Sequence, residues 1–289
     1  MTDTPILITG ATGRLGQLVT RRLIERGQAA RVFTRRPDVA RKLFGDKVQI
    51  AVGEFADRAS VNAAVRGVAR LLLLSPIGPT LAADQVAVAN AAQAAGVRRI
   101  VKISGSDWTI EPPGSSISGD AHAAVELHLR RLPLESVSLR PNAWMQVSLA
   151  NTIRQVLAGN PVFAANPDAG IGYIDARDIA DVAVQQLLAD RIVGGAVNLT
   201  GPDVKTARQV ADLIASVLGR RVAVIEKRPA TPSTEADFEH RAVAQFATLI
   251  AAGRAAVKTD VVTSLLGRPP RSVEAFISEH LAAEAALAG

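Results

Sequence analysis

Ile6-Leu7-Ile8-Thr9-Gly10-Ala11-Thr12-Gly13-Arg14-Leu15-Gly16 decides how this chain is read. An aliphatic run leads into three glycines at a spacing of three, and an amphipathic segment with Leu15, Leu18, Val19 and Leu23 follows. This is the strand–turn–helix context in which a glycine-rich turn cradles a dinucleotide pyrophosphate. Gly10 permits the tight turn, Gly13 lets backbone approach the phosphates, and Gly16 allows close helix–strand packing. Unpaired N–H groups and the dipole at the helix start favour the anion. A glycine turn without ligand is the alternative; the complete spacing directly after the first strand argues against it.

Outward from this stretch the first 140 residues alternate. β-branched or leucine-rich runs at 6–9, 30–34, 48–52, 70–74, 99–103 and 134–140 predict strands, and helical periodicity fills the gaps, as in the segment from Leu81 to Ala95 closed by Gly96. Continuous apolar strands separated by helices imply a parallel sheet covered on both faces, hence an α/β, doubly wound Rossmann-type fold. After Pro141 the pattern loosens. Helices are predicted at 143–158, 177–189, 206–218, 234–252 and 273–287, with short strands at 171–174, 196–199 and 222–226. These form a smaller C-terminal lobe. Pro112-Pro113-Gly114-Ser115-Ser116 reads as a mobile loop.

Composition excludes several classes. The 289 residues are 48% hydrophobic and 21% charged, ordinary globular usage, and wholesale disorder is excluded. With no cysteine there are no disulfides, thiolate nucleophiles or cysteine-ligated metals, and none of His122, His128, His240 and His280 stands in a paired metal-binding spacing. No metal is expected. The formal charge of +6 is spread as arginine doublets such as Arg21-Arg22, Arg98-Arg99 and Arg220-Arg221, and aromatics are only 3%, so nucleic acid is not an expected partner. No secretory signal and no membrane-spanning run is visible, and a cytoplasmic location is expected.

The Gly-x-x-Gly-x-x-Gly turn, and Thr9-Gly10-Ala11-Thr12-Gly13 above all, resembles the atypical and extended short-chain dehydrogenase/reductases, specifically their NmrA-like branch. Weaker matching stretches are Thr34-Arg35-Arg36-Pro37, Leu139-Arg140-Pro141-Asn142-Ala143-Trp144-Met145, Tyr173-Ile174-Asp175-Ala176-Arg177-Asp178 and Gly267-Arg268-Pro269-Pro270-Arg271-Ser272, so the resemblance runs over nearly the whole chain. It implies a single NAD(P)-binding domain over 1–289, with a Rossmann core at about 1–140 and a substrate lobe mainly at 141–289. That branch holds quinone reductases, triphenylmethane reductases and redox-sensing regulators.

Cofactor choice follows from the second strand. A carboxylate at its end would bind the ribose hydroxyls of NAD; here the strand ends in Arg35, and no carboxylate appears until Asp38. A guanidinium fits a 2′-phosphate, so NADP(H) is expected in preference to NAD(H), with Arg14 and Arg36 as further clamps. The expected cofactor-binding set is Gly10, Thr12, Gly13, Arg14, Leu15, Gly16, Arg35 and Arg36. The resemblance adds Phe55 against the adenine, Ser75, Pro76 and Ile77 along the ribose and diphosphate, Ile103 and Ser104 beside the nicotinamide, and Pro141 and Asn142.

The catalytic signature departs from the wider family. Typical members use Tyr-x-x-x-Lys on the helix after the fifth strand; the single tyrosine here is Tyr173, and the corresponding segment holds His122 and Glu126, four apart on one helix face. His122 and Ser104 are the catalytic candidates. Glu126 is expected to hold the His122 tautomer and raise its pKa, or else the two form a partly buried His–Glu pair. Because hydride transfer to a quinone needs no protein acid, His122 is expected to assist rather than to be obligatory. Trp144 and Met145 are expected to line a substrate pocket. Asp175 and Asp178 read as a helix cap and first-turn carboxylate. The expected activity is NADPH-dependent reduction of a small electrophile such as a quinone or imine. The alternative is a non-catalytic NADP(H) sensor acting through a protein partner.

Overall fold

A computed structural model describes residues 4–227 and 237–288, with side chains to 284. The strands are β1 (Ile6–Thr9), β2 (Ala30–Thr34), β3 (Gln49–Val52), β4 (Arg70–Leu73), β5 (Arg99–Ile103), β6 (Glu135–Pro141), β7 (Ala143–Trp144), β8 (Val162–Ala164), β9 (Ile171–Ile174), β10 (Gly195–Leu199), β11 (Val204–Lys205) and β12 (Val224–Glu226). The helices are α1 (Arg14–Glu25), α2 (Pro37–Phe44), α3 (Arg58–Val65), α4 (Leu81–Ala94), α5 (Asp107–Ile110), α6 (Ile117–Leu129), α7 (Ser148–Leu157), α8 (Ala176–Leu188), α9 (Ala207–Leu218), α10 (Phe238–Ala251), α11 (Val261–Leu266) and α12 (Val273–Ala288).

The central sheet runs β10-β6-β5-β4-β1-β2-β3, and the pairs from β6 to β3 are all parallel. Strand order reverses between β1 and β4, which makes their carboxyl ends the switch point of a doubly wound sheet. The expected fold class is what the chain adopts. Strands β1 and β5 are buried throughout, β1 as an aliphatic run and β5 with the charges of Arg99 and Lys102 among its apolar residues, whereas the edge strand β3 is largely exposed. Helix α1 buries Leu15, Val19 and Leu23 and ends where Gly27 takes a φ of +66°.

Two compact units can be distinguished. The first comprises residues 4–105, 120–140 and 179–197, and the second comprises 106–119, 141–178 and 198–288. The chain passes between the units after residues 105, 119, 140, 178 and 197, so the boundary expected near 140 is one of five crossings. The core of the first unit gathers Leu7, Phe33, Val61, Leu71, Leu73, Val88 and Ile100. The second unit holds a sheet of order β11-β9-β7 and a parallel β8–β12 pair around Met145, Leu149, Ile153, Tyr173, Ile214, Phe276 and Ile277. Its α9 is bounded by a capping box of Thr206 and Gln209 and by left-handed Gly219.

Two expectations need correction, and a third falls partly outside the described residues. The helix predicted from 143 starts only at Ser148, because Ala143 and Trp144 pair with Tyr173 and Ile174 and the Met145 N–H donates to Ile174 O. Backbone groups committed to β9 cannot also enter a helix. The loop at 112–116 is pinned at its end: Ser116 is buried, its Oγ donating to Thr109 O and accepting from the Gly119 N–H. The helix predicted from 234 is seen as α10, and 234–236 lie outside the described residues.

Candidate functional site: the glycine cradle and the end of the fifth strand

The first turn of α1 carries no acidic residue, and its N-cap, Gly13, supplies no side-chain cap. The amides that a cap would have satisfied therefore remain available to an anion. Gly10 takes a φ of +63°, and a Cβ on it would meet Leu74 O at 2.9 Å. A Cβ on Gly16 would lie 2.2 Å from Gly10 O, so this glycine serves helix packing. A Cβ on Gly13 would meet only Gly10 O, at 3.2 Å, so backbone geometry alone does not demand glycine there. What the bare Gly13 keeps open is the cavity above it.

That cavity, of about 450 Å³, lies at the carboxyl ends of β1 to β4. Its lining includes Gly10, Thr12, Gly13, Arg35, Arg36, Phe55, Ser75, Pro76 and Ile77, which joins most of the expected cofactor set at one place. Gly53, Glu54 and Ala56 flank Phe55 in the lining, and Phe33, Thr34, Gly78, Thr80 and Asp84 complete it. Arg35 and Arg36 are exposed, and the Arg36 guanidinium donates to Thr12 Oγ1 at 3.2 Å, drawing the end of β2 toward the glycine turn. Phe55 packs edge-on against Phe33. Arg14, Leu15, Gly16, Ile103 and Ser104 do not line this cavity; Leu15 and Gly16 are buried against the sheet.

At the end of β5 the structure assembles a cluster that the sequence reading only half found. Lys102 is completely buried, and its Nζ donates to Ser104 Oγ (2.9 Å), His122 Nδ1 (2.8 Å) and, at 3.4 Å, Ile103 O. Ser104 Oγ donates in turn to Glu126 Oε1 at 2.6 Å. Glu126 is held by Arg140 through both carboxylate oxygens, at 3.1 and 2.6 Å. The expected partnership of His122 with Glu126 is therefore corrected: Glu126 belongs to Arg140 and Ser104, and His122 belongs to Lys102. Nor is the pair partly exposed, since His122 and Glu126 are 6% and 2% exposed. Burial, reinforced by Lys102, holds the His122 imidazole well below its ordinary pKa rather than raising it. Burial also pushes Lys102 down to about 7, with Glu126 opposing the shift and Arg140 adding to it. The signal that could have revealed Lys102 is a lone charge inside the apolar run Ile100-Val101-Lys102-Ile103.

In the second unit three expected site residues prove structural. Asn142 is buried, its Oδ1 accepting from Trp108 Nε1 and its Nδ2 donating to Ala255 O at 3.1 Å, so this amide ties three segments together. Met145 is fully buried in the core around Phe276 and does not line a pocket. Pro141 is buried, and its carbonyl accepts from Ser106 Oγ at 2.8 Å. Trp144 remains half-buried. Tyr173, the one tyrosine, is buried in the same core and its phenol pKa is raised by burial. Asp175 accepts from the Arg177 N–H as expected of a cap. Asp178, fully buried, accepts from Arg271 N at 2.7 Å, from Arg268 Nη2 at 2.8 Å and from the Arg271 guanidinium. Asp178→Ala should cost about 2–3 kcal/mol in urea unfolding, since two arginines lose a buried partner but can turn to water; an unchanged midpoint would show the cluster to be dispensable.

Among the described residues no cluster of His, Asp or Glu is arranged to hold a metal, and no helix is long and apolar enough to cross a membrane. The sequence model of the NAD(P)H-binding family matches residues 10–190. The chain is 33% identical, over 95% of its length and 97% of the relative's, to (4-alkanoyl-5-oxo-2,5-dihydrofuran-3-yl)methyl phosphate reductase of Streptomyces griseus. It is 28% identical to the NAD(P)H azoreductase of Xenophilus azovorans, over 96% and 98% of the two chains. The NADPH-dependent quinone oxidoreductase of Escherichia coli, solved with NADPH, superposes with a TM-score of 0.83 at 25% identity, over 95% of this chain and 99% of that one.

Proposed function

From a chain that belongs to the NAD(P)H-binding family, in its NmrA-like branch of atypical short-chain dehydrogenase/reductases, we propose an NADPH-dependent reductase of small electrophiles such as quinones or imines. The observation that carries the reading is the cavity at the ends of β1 to β4, with an uncapped helix start beneath and two exposed arginines at the end of β2. The oxidoreductase character of the relatives supports it.

In this reading the α1 amides and Gly13 hold the pyrophosphate, Thr12 and Arg36 brace the turn, Phe55 flanks the adenine, and Arg35 pairs with the 2′-phosphate. Ser75, Pro76 and Ile77 follow the cofactor toward the end of β5. Bound NADPH supplies the hydride. The protein contributes binding, orientation and, at His122, a hydrogen-bond donor for a reacting oxygen, while Ser104, whose one hydroxyl hydrogen goes to Glu126, positions the cluster.

Arg35 makes the cofactor preference testable. A hydrogen bond to a charged group is worth roughly 1.5–3 kcal/mol, or about 10- to 150-fold in affinity. Arg35→Ala should lose most of that factor for NADPH and leave NADH binding nearly unchanged, read by calorimetry. Equal affinity of the unmutated protein for both cofactors would defeat the assignment of Arg35. Steady NADPH oxidation with quinones, imines and enones tests the reductase reading itself; tight NADPH binding without turnover on any of them would favour a sensor.

A further inference from the structure

The buried cluster at the end of β5 contains more charge than its ion pair needs. Glu126 and Arg140 neutralise each other through two short contacts, and Lys102 is the cation in excess. The groups facing Lys102 are His122 and Glu126 from α6, Arg140 from β6 and Ser104 just past the end of its own strand, while its register partner on β4 is Leu73. A lysine without chemistry to perform would be replaced at lower cost by an aliphatic side chain, because a buried ammonium loses its hydration. Here the ammonium has three acceptors, and one of them is a neutral imidazole nitrogen. Since Nδ1 accepts, the ring hydrogen is on Nε2.

We propose that Lys102 is the proton source behind His122, and that the acceptor it serves carries a carbonyl oxygen; this rests on the reductase reading above. As negative charge builds on that oxygen, the His122 Nε2–H bond breaks and its proton forms the O–H bond. At the same time an Nζ–H bond of Lys102 breaks and Nδ1 takes that proton. His122 ends as the Nδ1–H tautomer, Lys102 as the neutral amine, and the ring never carries a full charge. The cluster resets when Nε2 takes a proton from water and Nδ1 returns its own to Nζ. Burial places the lysine near pH 7, where a proton donor is most effective in neutral solution. Ser104, donating to Glu126 and accepting from Nζ, fixes the ammonium in place. His122 is thus the group that meets the acceptor, and Lys102 acts through it.

The test compares a quinone, whose oxygen must gain a proton, with a cationic triarylmethane dye, which takes hydride and needs none. Single-turnover NADPH oxidation is followed from about pH 5 to 9. In the unmutated protein the quinone-to-dye rate ratio should fall as pH rises through about 7. In Lys102→Met the ratio at pH 6 should be at least about tenfold lower and independent of pH, the modest size reflecting competition from water. Lys102→Gln, which still donates a hydrogen bond to Nδ1 but has no proton to transfer, should behave like Lys102→Met and serves where the latter fails to fold. Either variant retaining the unmutated ratio and its pH limb would overturn the relay. If the unmutated protein binds NADPH and reduces neither acceptor, the reductase reading fails, and the relay is judged by ¹⁵N NMR of the His122 ring. A neutral Nε2–H tautomer whose titration moves upward when Lys102 is replaced supports the linkage; an Nδ1–H tautomer, or a titration indifferent to the replacement, overturns it.

Discussion

Gly13→Val should yield a folded protein whose NADPH affinity has fallen by more than about 100-fold. The fold survives because the backbone there is extended (φ −80°, ψ 168°) and an added Cβ meets only Gly10 O, at 3.2 Å, a contact relieved by a small shift. Binding does not survive, because two methyl groups would stand in the cavity above the start of α1, which no side chain caps. Losing two charge-assisted hydrogen bonds at roughly 1.5–3 kcal/mol each accounts for the factor. Gly16→Val is the converse control. Its Cβ would lie 2.2 Å from Gly10 O and 2.7 Å from Ala11 Cα, so α1 is forced off the sheet and stability should drop by at least about 2 kcal/mol. Calorimetry showing unaltered NADPH binding by Gly13→Val would mean that the cradle has been misplaced.

Replacing Lys102 should change the pH dependence of stability more than its level. Lys102 is a base whose folded-state pKa, about 7, lies below its ordinary 10.5, chiefly because burial strips the ammonium of water. Below pH 7 it is charged in both states, and the folded protein carries the whole burial penalty. Between 7 and 10.5 the unfolded chain holds a proton that the folded chain has released, so stability climbs with pH, by up to about 5 kcal/mol over the window. Lys102→Met has no such term. Its stability relative to the unmutated protein should therefore be most favourable below pH 7 and decline steadily toward pH 10. The absolute offset is smaller than 5 kcal/mol, because Ser104 Oγ and His122 Nδ1 each lose a donor at about 1–3 kcal/mol. Urea unfolding at pH 6, 8 and 10 reads the slope. Parallel profiles for the two proteins would show that Lys102 is not held in a dry site.

Much of the site was legible along the chain. The glycine turn, the arginine at the end of β2 and the short segments after β3 and β4 each lie within a few residues of a strand end. Parallel strands align those ends on one edge of the sheet, so predicting the strands was enough to predict the cavity at 10–13, 34–36, 53–56 and 75–78. Ser104 and His122 were visible for the same reason, one at a strand end and one on the helix that follows. Their partners were not. His122 and Glu126 share a helix face, which suggested that they bond each other, and in the fold each is taken by a residue of a different strand, Lys102 of β5 and Arg140 of β6.

The sequence by itself indicated the strands of the first unit, the parallel doubly wound sheet they form, and the glycine turn between β1 and α1. These follow from steric limits on glycine and from the period at which apolar side chains must recur to be buried, and both operate over ten residues or fewer. Only the tertiary structure decided which polar groups meet. The Asn142 amide is spent on Trp108 and Ala255, Met145 is core, Ala143 and Trp144 are strand rather than helix, and Lys102 faces a neutral histidine in a dry cluster. The energy of a buried charge depends on the direction and distance of partners brought in from elsewhere in the chain, and no local pattern encodes it.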